Sequence, residues 1–246
     1  MAMYVYGIID SNDKIGASVT GLGGAGVYNI PYRDIGALAS DLDTPVRDTD
    51  EERVLEHETV LEKMIECFTV LPMRFLTVFN EKNNVISMLN EHYNDFREDL
   101  DRLHDKTEFG IKVIWPGAVI REKIANAYSK AQVSVPSPDD SPGKSFVKKK
   151  FETYKINKEF EEEADRRIAV IDNFFNRNVC EKKLERLKTE NMLLNASYLV
   201  DNEKQNDFKK AFEEMRAFAG DLKYLFSGPW PPYNFVTKTN TRHDRE

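Results

Sequence analysis

The stretch Gly21-Leu22-Gly23-Gly24-Ala25-Gly26 has the spacing G-x-G-x-x-G. That spacing cradles a pyrophosphate when a strand precedes it and a helix follows, so that helix N–H groups point at the phosphate. The residues that follow here are Val27-Tyr28-Asn29-Ile30-Pro31-Tyr32, which favour a strand that Pro31 then stops. Asp41 stands at a tolerable distance for a ribose-binding acid, but the β-α-β context is missing. The run reads as a hairpin-like turn in which glycines supply positive φ. A nucleotide- or small-ligand-binding enzyme using Gly21 to Gly26 is the alternative function. His57-Glu58 opens like the zinc helix H-E-x-x-H, but Leu61 occupies the place of the second histidine. His57 then reads as a helix residue satisfied by a carboxylate or carbonyl. His92, His104 and His243 have no ligand-like spacing, and no G-x-S-x-G elbow occurs. The carboxylates lie on helix faces beside lysines and arginines, as solubilising charge. These residues imply no enzyme, no cofactor and no metal site.

Two segments suit recognition better than catalysis. The first is Leu71-Pro72-Met73-Arg74-Phe75, in which a charged guanidinium interrupts an apolar strand. Arg74 must face solvent at an edge or meet a carboxylate. Pro72 places the strand at an edge, a strand end or a bulge, because proline cannot donate to a ladder. The second is the tail, with Trp230, Pro231, Pro232, Tyr233 and Phe235. Its prolines lower the entropy cost of ordering it, and its aromatics carry large apolar area. It reads as a clasp on the domain core or as a rigid aromatic surface for a partner, and the two roles are compatible.

Composition narrows the classes. The chain has 246 residues, 41% hydrophobic and 31% charged, with a formal net charge of −7. A general nucleic-acid binder needs a basic surface, so nucleic acid is not an expected partner. The run Lys148-Lys149-Lys150 is answered by Glu161-Glu162-Glu163 and reads as a solvated helix face. Two distant cysteines, Cys67 and Cys180, suit a reducing compartment rather than a disulfide framework. No secretory signal and no run of about 18 apolar residues is visible, so the expected location is cytoplasmic, without a membrane span.

The elements that must position these residues follow from periodicity. Residues 3–10 read as a buried strand, 14–20 as a short weak one, 27–32 as a strand, 33–40 as a short helix and 44–48 as an extended piece. Helical spacing runs over 50–68 and 81–105, with a strand at 68–79 between them and another at 108–115. In the second half a helix is expected at 117–131, a loop at 133–145 and a long helix at 146–176. Paired strands follow at 179–188 and 191–200, then a helix capped by Asn202 and stopped by Gly220. A last strand at 221–228 leads into an extended, polyproline-like 229–236 and a frayed 237–246. The fold class is α+β with two domains. Residues 1–107 form a ferredoxin-like domain with its following helix, and 108–246 form a second α+β domain with the long helix and the tail.

At five places the chain resembles the gas vesicle protein F/L family: YVYGI (4–8), LEHETVLE (55–62), TVLPMRF (69–75), LLNASYLV (193–200) and SGPWPPYNFV (227–236). The matches keep the family's order and span almost the whole chain. TVLPMRF followed much later by GPWPPYNF is the specific combination. The family usually places a glycine after the Arg-Phe pair, where this chain has Leu76. The resemblance implies two α+β domains, the second a modified ferredoxin-like unit with added helices. It also implies a non-catalytic, minor gas vesicle component or assembly factor, located in the cytoplasm in association with the vesicle. Its implied partners are the hydrophobic major gas vesicle shell protein and other minor gas vesicle proteins.

Overall fold

The structure is a computed structural model that describes residues 2–15, 19–42, 51–131, 142–186, 189–220 and 222–237. Strand β1 (Ala2–Ile9) is buried along almost its whole length, as its run of Tyr, Val and Ile requires. β2 (Tyr28–Tyr32) and β3 (Ile35–Leu42) form an antiparallel hairpin closed at Tyr32 and Ile35. Helix α1 (Glu51–Met64) has Glu51 and Glu52 in its first turn, where the helix dipole favours acid. β4 (Val70–Pro72) and β5 (Val78–Phe79) both pair antiparallel with β1. The order of the first sheet is β2-β3-β1-β4, with β5 also on β1. Two helices follow, α2 (Lys82–Glu91) and α3 (Tyr93–Leu103).

The remaining elements are β6 (Lys106–Ile114), α4 (Gly117–Ala131), α5 (Pro142–Asn173), β7 (Glu181–Arg186), β8 (Met192–Asp201), α6 (Gln205–Phe218) and β9 (Lys223–Trp230). The second sheet has the order β7-β8-β6-β9. α5 has 32 residues, about 48 Å of helix. Trp115 packs at a tilt against Phe160, and Phe175, Tyr198 and Phe208 form an aromatic core with centroids 4.9 to 5.5 Å apart. Contacts divide the chain into two compact units, Met1–Phe109 with Gly228–Glu246, and Gly110–Ser227. By contacts, residues 228–237 group with the first unit.

The α+β class is as expected, and several elements differ. Residues 33–40 are not a helix. Ile35–Leu42 is a strand buried at seven of its eight positions and paired on both sides, with β1 and β2. Its alanines suit a helix, but the two ladders override that weak propensity. The strand expected over 68–79 is interrupted. A turn over Arg74–Thr77 separates β4 from β5, closed by the Thr77 amide on the Arg74 carbonyl at 3.1 Å. The helix expected over 81–105 is divided at His92, whose ψ of 16° leaves the helical range. α5 begins at Pro142, inside the expected loop, with proline in the first helical turn where its missing N–H costs nothing. Asn202 opens a short 3-10 turn, Asn202–Lys204, before α6 rather than capping the helix itself. Residues 44–48 and most of the expected loop lie outside the described residues, as does part of the weak strand at 14–20.

The glycine run is a hairpin-like turn. Val27 donates to the Val19 carbonyl, Gly21 to that of Ala25, and Gly23 and Gly24 have φ of 61° and 81°. Strand β2 follows it, and the Gly23 amide donates to the Glu56 carboxylate at 3.1 Å. Gly21 is demanded by space, because a Cβ there would lie 2.0 Å from the Tyr6 hydroxyl. Replacing Gly21 by Ala should cost about 2 kcal/mol, read as a lower denaturation midpoint at unchanged slope. Alanine at Gly26, where a Cβ meets open space, should cost under about 1 kcal/mol.

Candidate functional site

The site grows from two phenols of β1. Tyr4 and Tyr6 lie side by side with ring centroids 4.8 Å apart, and both are fully buried. A buried hydroxyl needs a partner, and each of these has two. Tyr6 Oη pairs with Ser40 Oγ of β3 at 2.9 Å and accepts the Leu22 amide of the glycine turn at 2.8 Å. Tyr4 Oη accepts the Leu76 amide at 3.2 Å and lies 2.8 Å from Nδ1 of His57 on α1.

His57 is fully buried between these rings and Phe75. Its side-chain partner is a phenol rather than a carboxylate, and the Met73 backbone also interacts with the ring. The Tyr4 hydroxyl and Nδ1 share one hydrogen bond, in which either can donate according to the imidazole tautomer. Nε2 is buried without a hydrogen bond of ordinary geometry. Burial lowers the His57 pKa to about 4, against the raising effect of the Met73 backbone.

The residues singled out in the sequence divide by exposure. Leu71, Pro72 and Met73 are buried, Arg74 is exposed and Phe75 is half-buried. The Met73 amide continues the pairing with β1 by donating to the Tyr6 carbonyl at 2.8 Å. Leu76 takes φ of 70°, a left-handed conformation that glycine adopts freely and leucine does not. In the tail, Pro231, Pro232 and Phe235 are buried while Trp230 and Tyr233 are half-buried. The tail is not polyproline-like throughout. Pro229 and Trp230 end β9, and the next residues form turns, with Tyr233 donating to the Pro231 carbonyl and Phe235 to that of Pro232.

Carboxylates of the first unit impose those turns. Glu108 accepts from the Asn234 backbone amide at 2.9 Å and from its side-chain amide at 2.5 Å. Asp99 accepts from the Thr237 amide and hydroxyl at 2.7 and 2.6 Å and from Arg102 at 2.8 Å. Arg102 also donates to the Phe235 carbonyl, and Thr107 to that of Trp230. Tyr233 donates to Glu58 at 2.8 Å. Burial raises the Glu58 pKa against the lowering effect of that hydroxyl, and burial with the Glu58 charge raises that of Tyr233.

Phe75 and Tyr233 pack on one and the same cluster, which contains Tyr4, Tyr6, Val60, Leu61 and Val70. The two recognition segments, about 155 residues apart in sequence, thus meet at one core. Sequence reasoning missed Asp99, Glu108 and the tyrosine pair. Asp99 did carry a signal, since it interrupts the stripe of Phe96, Leu100 and Leu103 on the buried face of α3.

Comparison with known proteins decides the family. The family model for gas vesicle synthesis protein GvpL/GvpF matches residues 2–237. The chain belongs to the GvpL/GvpF family. It is 29% identical to gas vesicle protein F1 of Halobacterium salinarum over 238 residues, covering 95% of this chain and 92% of that protein. It is 27% identical to gas vesicle protein F2 of the same organism, covering 95% and 91%. The crystal structure of GvpF from Microcystis aeruginosa shares the fold, with a TM-score of 0.83 at 20% identity over 96% of this chain and 99% of that one. As a member of the GvpL/GvpF family the chain is a gas vesicle protein. Among the described residues no helix is long and apolar enough to cross a membrane.

Two outcomes test the geometry. The folded pKa of His57 lies below the unfolded value of about 6.5, so the unfolded chain binds more protons between the two. Its contribution is full above about pH 6.5 and is lost as the pH falls through about 4, a change of about 3 kcal/mol. Chemical denaturation at a series of pH values should show that slope, and His57→Phe should remove it. At position 76, Leu76→Gly should stay within about 1 kcal/mol of the parent, because relief of the left-handed backbone offsets the lost apolar contact. Leu76→Val should cost more than Leu76→Gly in the same assay, because a β-branched residue resists positive φ.

Proposed function

We propose that the chain is a non-catalytic, minor gas vesicle component or assembly factor that binds the hydrophobic major shell protein. Binding assists nucleation of the shell or prevents its aggregation, and places the protein in the cytoplasm and on the vesicle. Other minor gas vesicle proteins are secondary partners in this reading. The observation that carries it is the meeting of segments 71–75 and 230–235 at one core cluster, with Phe75 and Tyr233 each left half-open. Both segments are also the specific family matches.

The physical basis is exclusion of apolar surface from water. A shell protein rich in apolar surface self-associates unless that surface is covered. Strand β4 itself is buried, and the accessible part of this segment is the turn that follows it. Beside it Phe75 and the exposed Val78 supply apolar contact, and Arg74 supplies a charged rim. The net charge of −7 keeps an adaptor–shell complex dispersed.

The test uses the full-length chain and purified shell protein. The parent should retain the shell protein on an affinity column and delay its aggregation, followed by light scattering. Arg74→Glu with Phe75→Ser should weaken retention about tenfold, the effect of losing one anchor residue. Arg74→Glu alone, at a solvent-exposed position, controls for folding and should weaken it less. A parent chain that neither retains the shell protein nor delays its aggregation would defeat the proposal.

A further inference from the structure

The tail lies on the first unit as a bound peptide lies in a groove. Four contacts meet its main chain in alternation. Thr107 donates to the Trp230 carbonyl, Glu108 accepts the Asn234 amide, Arg102 donates to the Phe235 carbonyl and Asp99 accepts the Thr237 amide. Such main-chain contacts set the course of a segment without demanding its side chains, and pockets supply the selectivity. Here Phe235 and Val236 fill the pockets, at 2% and 8% exposed. β9 ends at Trp230, and residues 231–237 form no helix or strand. A segment held in this way opens without breaking a sheet ladder.

Closure also works against itself at one point. Tyr233 donates to Glu58 at 2.8 Å, yet burial still raises the Glu58 pKa, and Glu62 one turn on adds like charge. A carboxylate that is buried and incompletely compensated is better solvated with the tail away. The tail also packs, through Tyr233, on the cluster that Phe75 covers. Lifting it widens the apolar surface beside the exposed Arg74. It also uncovers Asp99 and Glu108, whose carboxylates then lack the tail's donors. An extended peptide can supply main-chain N–H groups at both places and a carbonyl to Arg102, which a lipid tail cannot.

We propose that the tail is a displaceable strap. Residues 233–237 occupy part of the surface on which the shell protein docks, and an extended segment of the shell protein takes their place at Glu108, Arg102 and Asp99. The strap rests on the shell-protein reading and adds competition between the tail and the partner. The test uses the full-length chain and purified shell protein. Hydrogen exchange follows the tail directly: the Asn234 and Thr237 amides should exchange faster in the parent–shell complex than in the free parent. That measurement needs no substitution. Asn234→Ala/Thr237→Ala removes two side-chain donors at exposed positions and leaves the groove intact. It should raise affinity for the shell protein about tenfold, because a larger fraction of the chain is then open. A peptide of residues 229–237 added in trans should reverse that gain. Glu58→Gln keeps an acceptor for Tyr233 without the buried charge, so it should slow exchange of the tail amides and weaken shell-protein binding. Tail amides that are unchanged or better protected in the complex overturn the strap and leave the shell-protein reading standing. So does a double variant that binds no more tightly than a binding parent, a peptide without effect, or a Glu58→Gln chain whose tail opens more readily. If parent and double variant both fail to bind the shell protein, the shell-protein reading falls and the strap falls with it.

Discussion

Two hydroxyl groups on one strand organise the first unit. Tyr4 and Tyr6 cannot leave their phenols unpaired in a dry core, because an unmet hydroxyl there costs on the order of 1–3 kcal/mol. Each takes an amide that no ladder satisfies. Tyr6 takes Leu22 from the glycine turn and Tyr4 takes Leu76 from the turn between β4 and β5. The same oxygens reach Ser40 and His57, so β1 is tied to β3 and α1 as well as to two loops. The glycine at position 21 follows from this, since the Tyr6 hydroxyl occupies the space its side chain would need. The left-handed Leu76 follows too. A strained residue persists only where its surroundings over-determine it, and here its amide is held by Tyr4 while the next residue, Thr77, closes the turn onto Arg74.

The tail obeys a complementary rule. Asp99 and Glu108 are 2% and 5% exposed, and a buried carboxylate must be supplied with donors. Proline has no N–H, so Pro229, Pro231 and Pro232 concentrate the tail's donors on the residues beyond them. Asn234 and Thr237 then deliver four donor contacts to the two carboxylates. Proline spacing and acid placement act as one device, and the device closes the tail onto the first unit rather than onto the strand segment that precedes it. Tyr233 is carried to Glu58 by the same turn, which is how it comes to share a core with Phe75.

Local pattern made most elements legible. α4 has the bounds that helical spacing implies, and β1, β6 and β8 fall within two residues of their expected ends. What failed was decided by distant partners. Residues 35–42 carry a helix-compatible composition, and only the ladders to β1 and β2 make them a strand. The tail has the composition of an extended segment, and only Glu108 and Asp99 turn it. The recognition segments were legible as chemistry, because an arginine inside an apolar run and a proline-aromatic cluster both need explaining. That Leu71, Pro72, Met73, Pro231, Pro232 and Phe235 would be spent on the core, leaving Arg74 exposed and Phe75, Trp230 and Tyr233 half-buried, depends on sheet register. No single window of sequence carries that register.

Charge is arranged differently over the two units' helices. On α3, Arg97 meets Asp101 one turn away; on α6, Arg216 meets Glu213; near the end of α5, Arg166 and Arg167 share Glu163. Such local pairs neutralise a face within a turn and leave little field beyond about a Debye length. The first half of α5 does the opposite. Its lysines stand together over exposed aromatics, with Lys150 over Phe146 and Lys155 over Phe151. Those contacts hold the charge in place without cancelling it, because a ring face attracts a cation and carries no net charge of its own. In the second half of α5 the acids are instead answered locally, Glu162 by Lys158, Glu163 by Arg166 and Arg167, and Asp165 by Arg186.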